Sequence, residues 1–358
     1  MSAPAGLVPT QVEPGPLAGG DVVLRVSGLR KEFRAGRRGG AKKLTAVDGV
    51  SFNLHAGETV ALVGESGSGK STVARCIARL IEPTSGEVVL DDVVLTSMAK
   101  RDLPRAYRHL QMVFQDPNSS LNPRMSVRAI LEEPLRLHFD MSRSERDQRA
   151  RQLAEYVGLS AQQLDRYPRQ LSGGQRQRVG IARALAVGPK VILLDEPTAS
   201  LDVSVRGQIL SLFRRTQDEK GLAYLFITHD LEVVRHFADR VLVMYLGGIV
   251  EEGPTAEVFE HPAHPYTQAL LSSSPVAEYT RGNEHKRSKR LLLLTGEIPS
   301  PIDLPTGCRL VSRCPFVQPS CSSVVPPLRA IRPGHLSACP VLLAATNPNS
   351  QDEISFVA

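Results

Sequence analysis

The chain has 358 residues, 42% of them hydrophobic, with 43 basic against 37 acidic residues and a formal net charge of +6. That length has room for one large domain and a smaller one; no run approaches the roughly 18 apolar residues of a membrane span, and the first residues lack the succession of a secretory signal, which predicts a cytoplasmic protein. The modest positive excess suits nucleic acid and the anionic inner face of a membrane equally, but no nucleic-acid module accompanies it, so nucleic acid is not expected as a partner.

Residues 1–21, rich in Pro, Gly and Ala without periodicity, read as a disordered leader. Val23 to Val26 alternates like a strand, and Ala35 to Lys43, with Arg37, Arg38, Lys42 and Lys43 among glycines, reads as a basic hairpin tip. Thr59 to Val63 is a short β-rich run of the kind buried on both faces of a sheet. It leads into Gly64-Glu65-Ser66-Gly67-Ser68-Gly69-Lys70-Ser71, a complete G-x-x-x-x-G-K-[ST] phosphate loop, followed by Thr72. The glycines let the backbone curl so that successive N–H groups face phosphate oxygens, Lys70 reaches the outer phosphates, and the Ser71 hydroxyl is a ligand for Mg2+. In the helix that follows, Val73, Ile77, Leu80 and Ile81 share a face until Pro83 closes it, and Cys76 reads as a small core residue.

Gln115, after the apolar Met112-Val113-Phe114, offers an uncharged amide for the metal or an attacking water. From there to about Gly188 the pattern is helical, as in Glu145 to Val157 after Ser142 and Ser144, and predicts a helical subdomain over about 116–188. Inside it, Leu171-Ser172-Gly173-Gly174-Gln175 would present a hydroxyl and bare N–H groups at a helix start, a second anion site with no nucleotide of its own. Val191 to Leu194 is another strand, ending in Asp195 and Glu196; the first suits Mg2+, the second suits a base polarising water for in-line attack on a γ-phosphorus. Tyr224 to Ile227 and Val241 to Met244 complete the apolar runs, and His229 follows the former, placed to donate to a γ-phosphate. Strands alternating with helices predict a parallel α/β sheet with its ligands at the carboxyl ends of the strands.

Beyond Glu252 the periodicity fades, with a boundary near 255, and the remainder reads as a small irregular domain. Cys308, Cys314, Cys321 and Cys339 are spaced C-x5-C-x6-C-x17-C in it. Four thiolates can bind tetrahedral Zn2+ or a [4Fe–4S] cluster, but no C-x2-C is present, and reduced structural thiols are the third option.

Taken in order, the phosphate loop, Gln115, Leu171 to Gln175, Asp195-Glu196, Ser200-Leu201-Asp202 and His229 resemble the ATP-binding cassette (ABC) ATPases, over residues 22 to about 255. The resemblance implies a P-loop NTPase sheet core with an inserted helical subdomain, and two cassettes packed head to tail. Each ATP, with Mg2+, would lie between residues 64–72 of one cassette and the signature Leu171–Gln175 of the other. Glu196, His229, Gln115 and Lys70 would be the catalytic set, with Ser71, Gln115 and Asp195 around the metal. Asp202 would link the two sites, and Phe33 takes the place of the aromatic, often Tyr, that stacks on adenine.

Phe114 to Met125 is longer than a generic cassette needs and is similar to the matching segment of oligopeptide and dipeptide importer ATPases. His264-Pro265-Tyr266-Thr267-Gln268-Ala269-Leu270-Leu271, Gly296 to Pro299 and Pro305 to Cys308 are similar to their appendage, which would span 256–345 before a 346–358 tail. The likeness implies the ATP-hydrolysing subunit of a peptide importer at the cytoplasmic face of the membrane. It would pair with an identical or related second ABC subunit, dock on two integral membrane permease subunits, and be served indirectly by an extracytoplasmic solute-binding protein. In these importers the matching cysteines are associated with an iron–sulfur cluster, with Zn2+ the alternative. An importer of nickel or another small solute stays open, as does a soluble cassette ATPase, although that class usually carries two cassettes in one chain or a long coiled-coil insertion. Glu196 argues against a scaffold without turnover.

Overall fold

The computed structural model describes residues 21–35, 42–273 and 294–341; the leader, the centre of the basic tip (36–41) and the tail lie outside them. In chain order the strands are β1 (Val22–Ala35), β2 (Lys42–His55), β3 (Thr59–Val63), β4 (Ser85–Leu90), β5 (Val93–Val94), β6 (Leu110–Val113), β7 (Val191–Asp195), β8 (Ala223–Ile227), β9 (Arg240–Tyr245), β10 (Gly248–Pro254), β11 (Arg329–Arg332) and β12 (His335–Ser337).

The sheet that positions the site runs β9-β3-β8-β7-β6, all parallel, with β10, β12 and β11 added antiparallel beyond β9. Every residue of β3, β7, β8 and β9 is buried, which is why their sequences run apolar instead of alternating. Because these strands are parallel, their carboxyl ends share one edge, and the connections leaving β3, β6, β7 and β8 emerge there together. A second, antiparallel sheet, β2-β1-β4-β5, covers helix α1 (Lys70–Ile77). Leu24, Val26, Phe52 and Leu54 of that sheet pack in one core with Val73 and Ile77 of α1 and Leu62 of β3.

Helix α1 is shorter than its apolar pattern predicts. Arg79 adopts a left-handed φ of 55°, its guanidinium bonds the Leu95 carbonyl, and the N–H groups of Leu80 and Ile81 both turn back to the Arg75 carbonyl. The chain therefore leaves the helix well before Pro83, and Leu80, expected on the buried face, is 54% exposed. After the short α2 (Leu103–Ala106), the region between β6 and β7 contains no strand among its described residues, only α3 (Pro117–Ser120), α4 (Val127–His138), α5 (Arg143–Tyr156), α6 (Gly173–Leu185) and short 3-10 turns. Ser142 and Glu145 form a reciprocal capping box at the start of α5, a contribution of about 1 kcal/mol. Helices α7 (Val203–Lys220) and α8 (Leu231–Phe237) lead into β8 and β9. No helix among the described residues is long and apolar enough to cross a membrane.

The chain beyond residue 255 differs from the expectation of a separate irregular domain. After α9 (Thr255–Glu260) and α10 (Pro265–Ser272) it returns to the main sheet, where β12 pairs with β10 through Glu251–Ser337 and Glu252–Leu336. Glu251, fully buried, accepts from the N–H groups of Ala263 and His264 and lies 2.7 Å from His335 Nε2, itself fully buried. One carboxylate thus ties both α10 and β12 to β10.

A second buried charge cluster stands beside it. Arg240 of β9 donates to Glu58 at 2.6 Å and Glu252 at 2.7 Å, with all three side chains less than 10% exposed. Removing the cation leaves two buried carboxylates facing each other, so Arg240→Met is expected to lower stability by about 3–5 kcal/mol in urea unfolding, and a loss below about 1 kcal/mol would contradict this account.

Candidate functional site

The phosphate loop leaves β3 and enters α1 under tight constraint. Gly64 has φ 151°, and a Cβ there would lie 2.1 Å from the Met244 carbonyl oxygen of β9; at Gly69, φ 110°, it would lie 2.1 Å from the Ala46 carbonyl oxygen of β2. Both positions therefore require glycine, and the loop is held between the two sheets. Ser66 and Gly67 are exposed at its crest, while Ser68 is buried and its carbonyl accepts the Gly247 N–H. Lys70, also buried, donates from Nζ to the carbonyls of Gly64 (2.8 Å) and Glu65 (2.9 Å). Burial lowers the Lys70 pKa, opposed by the carboxylates of Glu196, Asp195 and Glu65. Thr72 follows, half-buried, in the first turn of α1.

Three strand ends meet on one carboxylate. Glu196, just past β7, is held in a left-handed conformation (φ 47°), which costs a non-glycine residue on the order of 1–3 kcal/mol. Its main-chain N–H donates to Ile227 of β8 at 2.9 Å. Gln115, past β6, donates from Nε2 to Glu196 Oε2 at 2.8 Å, and His229, past β8, places Nδ1 3.3 Å from Oε1. Alongside, Ser71 donates from Oγ to Asp195 Oδ1 at 2.7 Å. Burial raises the Asp195 pKa, opposed by the Ser71 hydrogen bond and by Arg75, 3.9 Å away. A hydroxyl and a carboxylate in contact, with an amide nearby, are the hard oxygen donors that Mg2+ takes, so this residue set fits that ion. The Glu196 side chain is only 17% exposed and is steered by an amide and an imidazole, an arrangement suited to accepting a proton from a water.

Leu171 is buried and Ser172 is exposed as the cap of α6, its Oγ accepting from the Gln175 N–H at 3.3 Å while Gln175 Oε1 accepts the Ser172 N–H at 3.0 Å. A Cβ on Gly174 would lie 2.5 Å from Val205, and one on Gly173 would touch Leu201, so this turn is packed against the segment that carries Asp202. Asp202 is exposed at the start of α7. Phe33 on β1, 37% exposed with Lys31 Nζ 4.9 Å from its ring centre, is the register partner of Leu44, two residues before the Ala46 carbonyl that abuts Gly69. The segment Phe114 to Met125 contains α3, held by Arg183 donating to the Ser120 carbonyl and by buried Leu121.

Two contacts to the loop were not legible in the sequence. Glu65 donates its N–H to the Tyr266 hydroxyl at 2.7 Å, and its carboxylate pairs with Arg313 at 3.1 Å. Tyr266 stands in a string noted for its likeness alone, and Arg313 carries no local signal at all.

The expected [4Fe–4S] or Zn2+ centre at Cys308, Cys314, Cys321 and Cys339 is not supported. Among the described residues no three His, Cys, Asp or Glu side chains are grouped as a metal would need, and none of the four cysteines forms a disulfide. Cys308 and Cys314 instead pack beside Leu310, Tyr245 and Tyr266. Burial pushes both thiols up, Cys314 to about 11, and the neighbouring cysteines of the set reinforce the shift. Cys76 is fully buried in the core, as expected.

Comparison with known proteins agrees with this geometry. The ABC transporter family model matches residues 47–199, and the model of the oligopeptide/dipeptide transporter C-terminal region matches residues 250–321. The oligopeptide transport ATP-binding protein AppF of Bacillus subtilis (strain 168) is 45% identical over 325 residues, covering 89% of this chain and 97% of that protein. Among solved structures, the ATP-binding cassette MJ0796 in a dimeric post-hydrolysis state with ADP and Pi aligns with TM-score 0.60 and 34% identity, covering 65% of this chain and 98% of that one. The cbiO1 subunit of an ABC transporter complex from Clostridium perfringens aligns with TM-score 0.58 and 29% identity, covering 67% of this chain and 92% of that one. The chain therefore belongs to the ABC transporter ATPases, in the group that carries the oligopeptide/dipeptide-transporter C-terminal region.

Proposed function

We propose that this ATPase energises the import of oligopeptides or dipeptides from the cytoplasmic face of a membrane, with residues 22–255 as the nucleotide-binding unit and 256–345 as its extension. The observation that carries the site assignment is the meeting of Gln115, Glu196 and His229 at adjoining strand ends, beside Lys70 and the Ser71–Asp195 pair. In this reading Glu196 takes the proton of the attacking water, Gln115 orients that water, and His229 donates to the γ-phosphate. Lys70 turns from the loop carbonyls to the outer phosphates. Ser71, Asp195 and Gln115 would hold Mg2+, which would supply charge neutralisation on those phosphates. The N–H groups of residues 66–72 cradle the phosphates, and Phe33 stacks on the base.

The exposed Ser172 and the turn that follows it cap the nucleotide of a second ABC subunit, so two chains close around ATP and part after hydrolysis. That motion is passed to two membrane permease subunits, with the α3 segment as the docking face. Peptide specificity is supported by the likeness to AppF and by the match over residues 250–321. The test is purification of the membrane complex through this subunit, reconstitution into vesicles with its binding protein, and assay of solute uptake. ATP-dependent uptake of a labelled oligopeptide is expected; uptake of nickel with no peptide transport would reject the peptide assignment.

A further inference from the structure

We infer that Tyr266 and Arg313, which belong to the chain beyond the cassette, are positioning residues for the phosphate loop, and that Arg313 cancels the Glu65 charge where a triphosphate must approach. This rests on the nucleotide reading of the loop.

Tyr266 is 1% exposed, and its hydroxyl accepts the Glu65 N–H, which fixes the peptide unit between Gly64 and Glu65. The carbonyls of these two residues are the ones that hold Lys70 Nζ, so the orientation of that peptide sets where the lysine starts from. Tyr266 is itself firmly placed. Its ring packs on Tyr245 with centroids 4.6 Å apart, its N–H donates to His264 Nδ1, and the main-chain N–H of His264 donates to the buried Glu251.

Arg313 approaches from the other side. Its guanidinium lies 3.1 Å from Glu65 Oε2 and 3.3 Å from the Tyr245 hydroxyl, with the side chain 10% exposed. A carboxylate within the phosphate loop repels an incoming polyanion, and a largely buried guanidinium in contact with it removes that repulsion at short range, where screening by salt is weak. A further arm, Arg309, pairs with Asp48 and bonds the Leu246 carbonyl. The adjacent Gly247 donates its N–H to Ser68 of the loop. Residues 266, 309 and 313 thus hold both limbs of the loop, and the extension acts on the nucleotide site.

The full-length chain and its Arg313→Gln, Arg313→Lys, Glu65→Gln and Glu65→Gln/Arg313→Gln variants are titrated with a fluorescent ATP analogue and assayed for ATP turnover. Arg313→Gln is expected to raise Kd and KM about tenfold, the size of one unscreened charge contact, with a smaller change in kcat. Arg313→Lys recovers much of the loss, and the double variant returns to within about threefold of wild type because no carboxylate is left to neutralise. A defect in the double variant as large as in Arg313→Gln overturns the charge role, as does Arg313→Gln binding like wild type. Tyr266→Phe should speed hydrogen exchange at the Glu65 amide and raise KM; unchanged exchange overturns its part. A wild-type chain that fails to bind the analogue at all rejects the nucleotide site and this inference together, whereas wild-type binding with indifferent variants rejects this inference alone.

Discussion

Glu196→Gln is expected to lower ATP turnover by about two to four orders of magnitude, the range that removal of a general base covers, while ATP-driven pairing of subunits persists. The substitution keeps the shape of the side chain and its reach to Gln115 and His229, so the left-handed backbone at residue 196 has no reason to relax. It takes away the capacity to accept a proton. It also removes a negative charge that sits among the phosphate-facing groups, which favours the triphosphate form. Phosphate release measures the first effect, and light scattering with and without ATP measures the second. Turnover equal to wild type would take Glu196 out of its assigned role; loss of pairing together with turnover would place it in binding instead of chemistry.

Lys70→Met should weaken ATP binding on the order of 100-fold, since a hydrogen-bonded cation on a phosphate contributes up to about 3 kcal/mol and each 1.4 kcal/mol is tenfold. Methionine fills the buried volume, so the comparison isolates charge from packing. In the structure the ammonium is engaged by two loop carbonyls and lies close enough to Asp195, Glu196 and Glu65 for their carboxylates to support its charge. Without it Glu196 loses its cationic neighbour and Asp195 keeps only the more distant Arg75, while Glu65 stays paired with Arg313. Equilibrium titration with a fluorescent nucleotide is the check, and a Kd within about threefold of wild type would sink the assignment.

What the sequence made legible follows from which forces are local. The buried strands announce themselves because both faces must be apolar, and the parallel sheet then dictates that Gly64, Gln115, Glu196 and His229, far apart in the chain, emerge along one edge. Gly64 and Gly69 of the loop are readable because no other residue fits against the Met244 and Ala46 carbonyls. Contacts set by distant chain were not readable. Glu65 and Arg313 are separated by 248 positions, and nothing near either announces the other. The end of α1 is hidden from the sequence because the apolar spacing continues past Ile77, while the deciding event is Arg79 reaching the Leu95 carbonyl. Cysteine spacing is ambiguous for a related reason: the same residue type suits a metal or an apolar cluster, and Cys308 and Cys314 pack in the cluster that holds Leu310, Tyr245 and Tyr266.

The shared anchorage of α10 and β12 on Glu251 makes the two sequence regions inseparable in practice. A chain cut back to its cassette at residue 255 would keep that carboxylate but lose all three groups that contact it. Strand β10 would then become an open edge, the kind of surface on which other chains stack. The shortened ATPase would be a sticky one, and the appended piece could not be traded between relatives without bringing its own counterpart to residue 251.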